Sequence, residues 1–186
     1  MLKPAKPAEV RASSGVIRLR LREVSQLFNT MDPSPLAERD LEPRAEEFIL
    51  DWARELRPDQ PLRLVIHLPG ELPPDQATDV RRAVAHHFES QAEGKRRELR
   101  LLLREGRRTL LTGLVFLGLC LALSQSLPQL LPTAFSTFFE ESLLIAGWVA
   151  MWRPLEIYLY DWWPLRAYAR RFQRLAAMPV EIGTGS

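Results

Sequence analysis

The residues able to do chemistry in this 186-residue chain are few and fall into three groups. The first is the histidine set: His67 and the adjacent pair His86 and His87 could bind a metal or move a proton near neutral pH. Neighbouring positions on a helix point about 100° apart, so His86 and His87 cannot supply the i, i+4 pair that a helical metal site favours. They read as solvated or half-buried side chains, and no catalytic, metal or cofactor-binding residue is assigned. The second group is the acidic stretch Glu38-Arg-Asp-Leu-Glu-Pro-Arg-Ala-Glu-Glu-Phe-Ile-Leu-Asp51. Its Asp40, Glu42, Glu46 and Glu47 could dock a basic partner or hold a divalent cation. Acids at a helix start also offset the macrodipole, which explains most of them without function. The third is Arg153 and Glu156 around Pro154. Ionisable residues within a membrane are functional candidates, but an arginine that snorkels to the interface and pairs with a glutamate one turn on simply ends a span. Asp40, Glu42, Glu46, Glu47, Arg153 and Glu156 are kept as candidate partner contacts. The one cysteine, Cys120, excludes a disulfide framework and a thiol metal site.

The setting for these residues comes from two apolar runs, 109–131 and 142–152. The first carries no charge and is apolar on all sides. At about 1.5 Å per residue, about 20 such residues cross a hydrocarbon core of about 30 Å. Gly113 and Gly118 suit close helix approach. The second run is short and flanked by Glu140 and Glu141 before it and by Arg153 and Glu156 after it. A return helix from about residue 137 to 157 would place these charges near the two interfaces. Phe135, Phe138 and Phe139 would then mark one boundary, and Trp152, Tyr158, Tyr160, Trp162 and Trp163 the other. The expectation is a transmembrane hairpin over residues 109–157.

Charge sets its orientation. Residues 95–108 hold seven basic side chains against two acids, Arg166, Arg170, Arg171 and Arg174 follow the second run, and 124–142 has no Lys or Arg. The positive-inside rule places both termini in the cytoplasm and the loop 128–132 outside. The first residues contain no signal peptide h-region. Residues 1–94 carry 13 basic and 16 acidic side chains, and 95–186 carry 12 and 7. The overall charge of +2 therefore conceals a slightly acidic domain joined to a basic membrane unit. Arg104, Arg107, Arg108, Arg166, Arg170 and Arg171 are expected to meet anionic lipid headgroups. Nucleic acid is not expected as a partner, because a tethered basic and aromatic segment is better explained by lipid.

The N-terminal part reads as a small α/β domain. Residues 1–14 look like a disordered tail. Residues 15–22 alternate, with Ile17, Leu19 and Leu21 on one face and Arg18, Arg20 and Arg22 on the other, which predicts a strand with one solvated face. Residues 43–56 place Phe48, Ile49, Trp52 and Leu56 at helical spacing, with Pro43 in the first turn and Pro58 at the stop. Residues 62–68 predict a second strand, completing a parallel βαβ unit. Pro73-Pro74-Asp75 opens a helix with Ala77, Val80, Val84, Phe88 and Ala92 on one side, running on past Gly94 towards the membrane. Two strands make a poor sheet. The exposed sheet edge is therefore expected to pair with another subunit or protein, unless residues 24–31 add structure.

Glu38-Arg-Asp-Leu-Glu-Pro-Arg-Ala-Glu-Glu-Phe-Ile49, Gly147-Trp-Val-Ala-Met-Trp-Arg-Pro-Leu-Glu156 and Tyr160-Asp-Trp-Trp-Pro164 together resemble a family of small bacterial two-helix membrane proteins of unassigned function. The resemblance covers about residues 16 to 182. It implies a bacterial inner-membrane setting and carries no activity or site residue with it.

The expected architecture is an α+β membrane protein: a small cytoplasmic β-α-β-α domain (15–94), a basic helical stalk (95–108), a two-helix transmembrane hairpin (109–157), an interfacial aromatic and basic helix (158–178) and a tail (179–186). The expected function is that of a non-catalytic accessory or scaffolding subunit, with membrane lipid and a protein partner or second copy as contacts. One alternative is an oligomeric transport component with Arg153 and Glu156 in the path. Another is a membrane-tethered enzyme using the histidines or carboxylates.

Overall fold

A computed structural model describes residues 15–57, 60–126 and 133–184. The expected tail 1–14 and the loop 128–132 lie outside the described residues. Strand β1 (Val16–Arg20) is followed by helix α1 (Pro43–Glu55), strand β2 (Arg63–Leu68), the long helix α2 (Pro74–Ser126), α3 (Thr133–Ala150), a short α4 (Trp152–Glu156), a π-helical turn (Ile157–Asp161), α5 (Trp162–Ala176) and strand β3 (Val180–Thr184). The chain divides into two compact units. The first is built from the residues up to Ala92 and from Arg171 onward, the second from Glu93 to Arg170.

In the first unit the three strands form one parallel sheet in the order β1-β2-β3, with Ile17 opposite Leu64 and Leu64 opposite Val180. Period-two alternation puts Ile17, Leu19, Leu64, Ile66 and Leu68 into the core and leaves Arg18, Arg20, Arg63, Val65, His67 and Glu181 on the other face. Both crossovers advance across the sheet in the same direction. Parallel connections are right-handed, so both lay their helices on the same face. One core results, joining Ala45, Ile49 and Ala53 of α1 to Val80, Val84 and Phe88 of α2 and Phe172 and Leu175 of α5. Phe88 stacks on Phe172 with ring centroids 6.3 Å apart. Burying each such large side chain stabilises the unit by roughly 1.5–3 kcal/mol. Pro43 takes the first position of α1, where its missing N–H costs nothing, and Glu46 sits in that first turn. Gly15 is obligatory for a different reason: a Cβ there would collide with the Pro61 carbonyl.

In the second unit, α3 packs against α2 through small residues. Gly106, Gly113 and Cys120 recur every seven positions on α2 and are buried. A Cβ on Gly147 of α3 would lie 2.6 Å from Leu117 Cδ1 and 3.5 Å from Cys120 Cβ, and one on Gly113 would lie 3.1 Å from Met151 Sδ. A Cβ on Gly106 would lie 2.9 Å from Ile157 Cγ2. The contacts therefore climb one helix as they descend the other. The helix axis breaks around Met151, and Pro154, which has no N–H to donate, precedes the π-helical turn. Away from this seam α2 is apolar and open: Leu111, Leu114, Val115, Leu119 and Leu123 are each half exposed or more.

The expected architecture is corrected on three counts. First, residues 179–186 are not a tail, because Val180–Thr184 is the third strand. The strand missing from the expected sheet is supplied by the chain's own C-terminus, and residues 24–31 contribute a 3₁₀ turn and a single bridge, Phe28 to Leu41. Five residues with two core-directed side chains give too short an alternation to stand out, and the pairing with β2 is wholly non-local. Second, a two-helix transmembrane hairpin over 109–157 is not evident. Among the described residues one helix, α2, is long and apolar enough to cross a membrane. Helix α3 has 18 residues, with Glu140 and Glu141 near its middle, and ends before the break at Met151. The stalk and the first apolar run as far as Ser126 are one uninterrupted helix, α2. Third, the expected interfacial helix 158–178 is divided, since Phe172, Leu175 and Met178 belong to the core of the first unit.

Candidate functional site

The segment between β1 and α1 is braced by its own polar side chains before it reaches the site. Asp32 accepts backbone N–H bonds from Ser34 at 2.9 Å and Asp40 at 2.8 Å, and the Arg39 guanidinium donates to the Ser34 carbonyl. The backbone N–H bonds from Asp40 and then Ser34 hold the Asp32 carboxyl down at about 2. Asn29 N–H donates to the Asp40 carbonyl, and Glu42 N–H to the Leu27 carbonyl. These bonds fix where Asp40 and Leu41 stand.

His87 of α2 meets this segment. Its ring is 3 % exposed, with Nδ1 2.9 Å from Asp40 Oδ1 and Nε2 3.3 Å from Glu46 Oε2. The Leu41 N–H also points at Nδ1, at 3.3 Å. Phe88 meets the ring edge-on with centroids 5.4 Å apart. The Nε2 to Glu46 contact is long and poorly aligned for a hydrogen bond, although the carboxylate lies close to the ring nitrogen. Burial by itself disfavours the imidazolium. The hydrogen bonds and negative charges of Glu46 and Asp40 outweigh it and raise the histidine above its ordinary 6.5.

Two partners compete for Nδ1. Protonated, the ring donates to Asp40 and holds both carboxylates. Deprotonated at Nδ1, it accepts from Leu41 N–H instead. Either way the ring is closed off from solvent, and the cluster ties α2 to the segment that leads into α1.

The expected sites are thus partly joined and partly separated. Asp40 and Glu46 come together on His87, whereas Glu42 precedes α1 and Glu47 is exposed on it. His86 is exposed on α2, and His67 lies on the outer sheet face. Arg153 is bonded to Glu156 at 3.1 Å, as the one-turn spacing suggested, and also approaches Asp161 at 3.3 Å and Glu105 at 4.0 Å. Asp161 and Glu105 were missed by sequence reasoning because the π-helical turn and the seam with α2 bring them in. Arg104, Arg107, Arg108, Arg166 and Arg170 are exposed on their helices, while Arg171 is half-buried where α5 enters the first unit. Among the described residues no group of three or more His, Cys, Asp or Glu side chains is placed to hold a metal ion. Comparison with protein-family models, characterised proteins and solved structures found no match.

Proposed function

We propose that this protein is a non-catalytic membrane-bound accessory or scaffolding subunit of a bacterial inner membrane, presenting its α/β unit to a protein partner in the cytoplasm. The observation that carries the reading is the character of α2. Its C-terminal part, from Thr109 on, is uncharged and mostly exposed, and it follows a run of seven basic residues. Exposed apolar side chains of this density are costly in water and favourable in lipid, and the basic flank belongs on the cytoplasmic side. Strands β2 and β3, which lie before and after the apolar segment in sequence, are neighbours in one sheet, and this supports a reading in which both flanks lie on the same side of a bilayer.

The test has two parts. The protein should resist extraction from membranes by alkaline carbonate, and reporters fused before Met1 and after Ser186 should both be cytoplasmic. Purification from mild detergent should bring a stoichiometric protein partner with it. Release by carbonate, or a reporter found outside, would refute the placement. A pure protein with no companion would refute the accessory role.

A further inference from the structure

Parallel sheets are almost always covered on both faces, because crossover helices and neighbouring layers bury them. Here all the helices of the first unit lie on one face. The other, formed by Val16, Arg18 and Arg20 of β1, Arg63, Val65 and His67 of β2, and Glu181 of β3, is uncovered among the described residues. Arg18, Val65 and Glu181 stand in one cross-strand row, and Arg20, His67 and Gly183 in the next. Arg63 is paired with Glu181 at 2.7 Å. Arg18 and Arg20 are exposed and have no ion-pair partner among the described residues.

We infer that this face is the docking surface for the acidic face of a protein partner, which places carboxylates on Arg18 and Arg20 and apolar side chains over Val16 and Val65. The inference rests on the accessory reading above and names the surface and its chemistry. All the fixed positive charges on the face are arginines, whose planar fork binds carboxylates in a bidentate manner. The same face of a second copy would oppose like charges. Residues 1–14 carry Lys3, Lys6 and Arg11 against Glu9, so their charge does not complement it either. The acid Glu181 beside Val65 gives the face a mixed and directional pattern, which a partner surface can match and a layer of anionic headgroups cannot. Three strands of about five residues span about 17 Å by about 14 Å. That is well below the about 800 Å² per partner of a stable interface. The contact therefore depends on charge and weakens with salt.

The experiment is photo-crosslinking of the full-length chain in its native membranes, with a photoreactive residue at Val65 and, in parallel, at Glu47 on α1. A discrete protein adduct at Val65, mapping to an acidic peptide of the partner and reduced about tenfold or more in Arg18→Glu/Arg20→Glu, is the expected result. Arg18→Gln/Arg20→Gln should give an intermediate loss, and both variants should keep the wild-type melting temperature because the two side chains are exposed. An adduct indifferent to these changes, a self-adduct, or a protein that instead binds vesicles of phosphatidylglycerol through Arg18 and Arg20 would overturn the inference. Protein adducts at Glu47 with none at Val65 would overturn it while leaving the accessory reading intact. No protein adduct at either position would count against both.

Discussion

Replacing Glu46 by Gln keeps the size of the side chain that faces His87 Nε2 and removes its charge. A hydrogen bond to a charged group contributes roughly 1.5–3 kcal/mol. Two features of this contact reduce that figure: the 3.3 Å separation is long and poorly aligned, and Glu46 keeps 22 % of its side-chain exposure. The expected loss in Glu46→Gln is therefore about 1–1.5 kcal/mol at about pH 6, a fall of several degrees in the melting temperature of a unit of this size. Asp40→Asn should cost less, under about 1 kcal/mol, because the Asp40 side chain is 63 % exposed and solvent screens it. The sign with pH follows from linkage. A histidine whose pKa is raised by folding stabilises the fold fully below its unfolded value near 6.5 and loses that contribution as pH rises through the raised folded value. Wild-type stability should thus decline above about pH 6.5, and the two curves should converge at high pH, to within about 0.5 kcal/mol. Urea unfolding in detergent across this range, with hydrogen exchange of the peptides covering 38–46 and 80–92, reads both the global and the local effect. Equal stability of the variant at about pH 6, or an unchanged pH slope, would refute the role given to Glu46.

Other consequences are as direct. Phe172→Ala should destabilise the first unit by about 3–5 kcal/mol by opening a cavity against Phe88, read by thermal unfolding. Ending the chain after Met178 removes β3, so amides of residues 64–68 should lose hydrogen-exchange protection, whereas ending it after Thr184 should leave them protected. Gly147→Val forces an isopropyl group towards Leu117 and should cost about 1–3 kcal/mol in the second unit, seen as loss of protection in α3. The Asp32 carboxyl, held at about 2, contributes stability above its ordinary 3.8 that is lost as pH falls towards about 2. Asp32→Asn should therefore increase exchange in residues 29–40 at neutral pH and remove that acid dependence.

The chemistry-bearing residues were visible in the sequence, but their grouping was not. Asp40 and Glu46 were apparent as acids near a helix start, and His87 as one of an adjacent pair. Nothing in their spacing showed that a 3₁₀ turn, an Asp32 brace and the Phe28 to Leu41 bridge would fold Asp40 back onto α2. The Arg153 and Glu156 pair was legible because one helical turn is enough to specify it. Glu105 entered that network only through helix packing. The basic side of β1 was equally plain as an alternation, yet whether that side met solvent or a second layer depended on where α1, α2 and α5 packed.

By itself the sequence determined what is local. Period-two alternation in β1 and β2, helical spacing in α1, the apolar length of α2 and the charge around it all follow from side-chain order along a few turns or pleats. Tertiary structure alone decided that residues 180–184 close the sheet, that residues 172–178 leave the expected interfacial helix for the core, and that Gly147 of α3 packs on Leu117 and Cys120 of α2. These are pairings between segments more than a hundred residues apart, or choices among burial sites. Their free energy comes from surfaces that exist only once the other elements have folded, so no short stretch of the chain carries their signal.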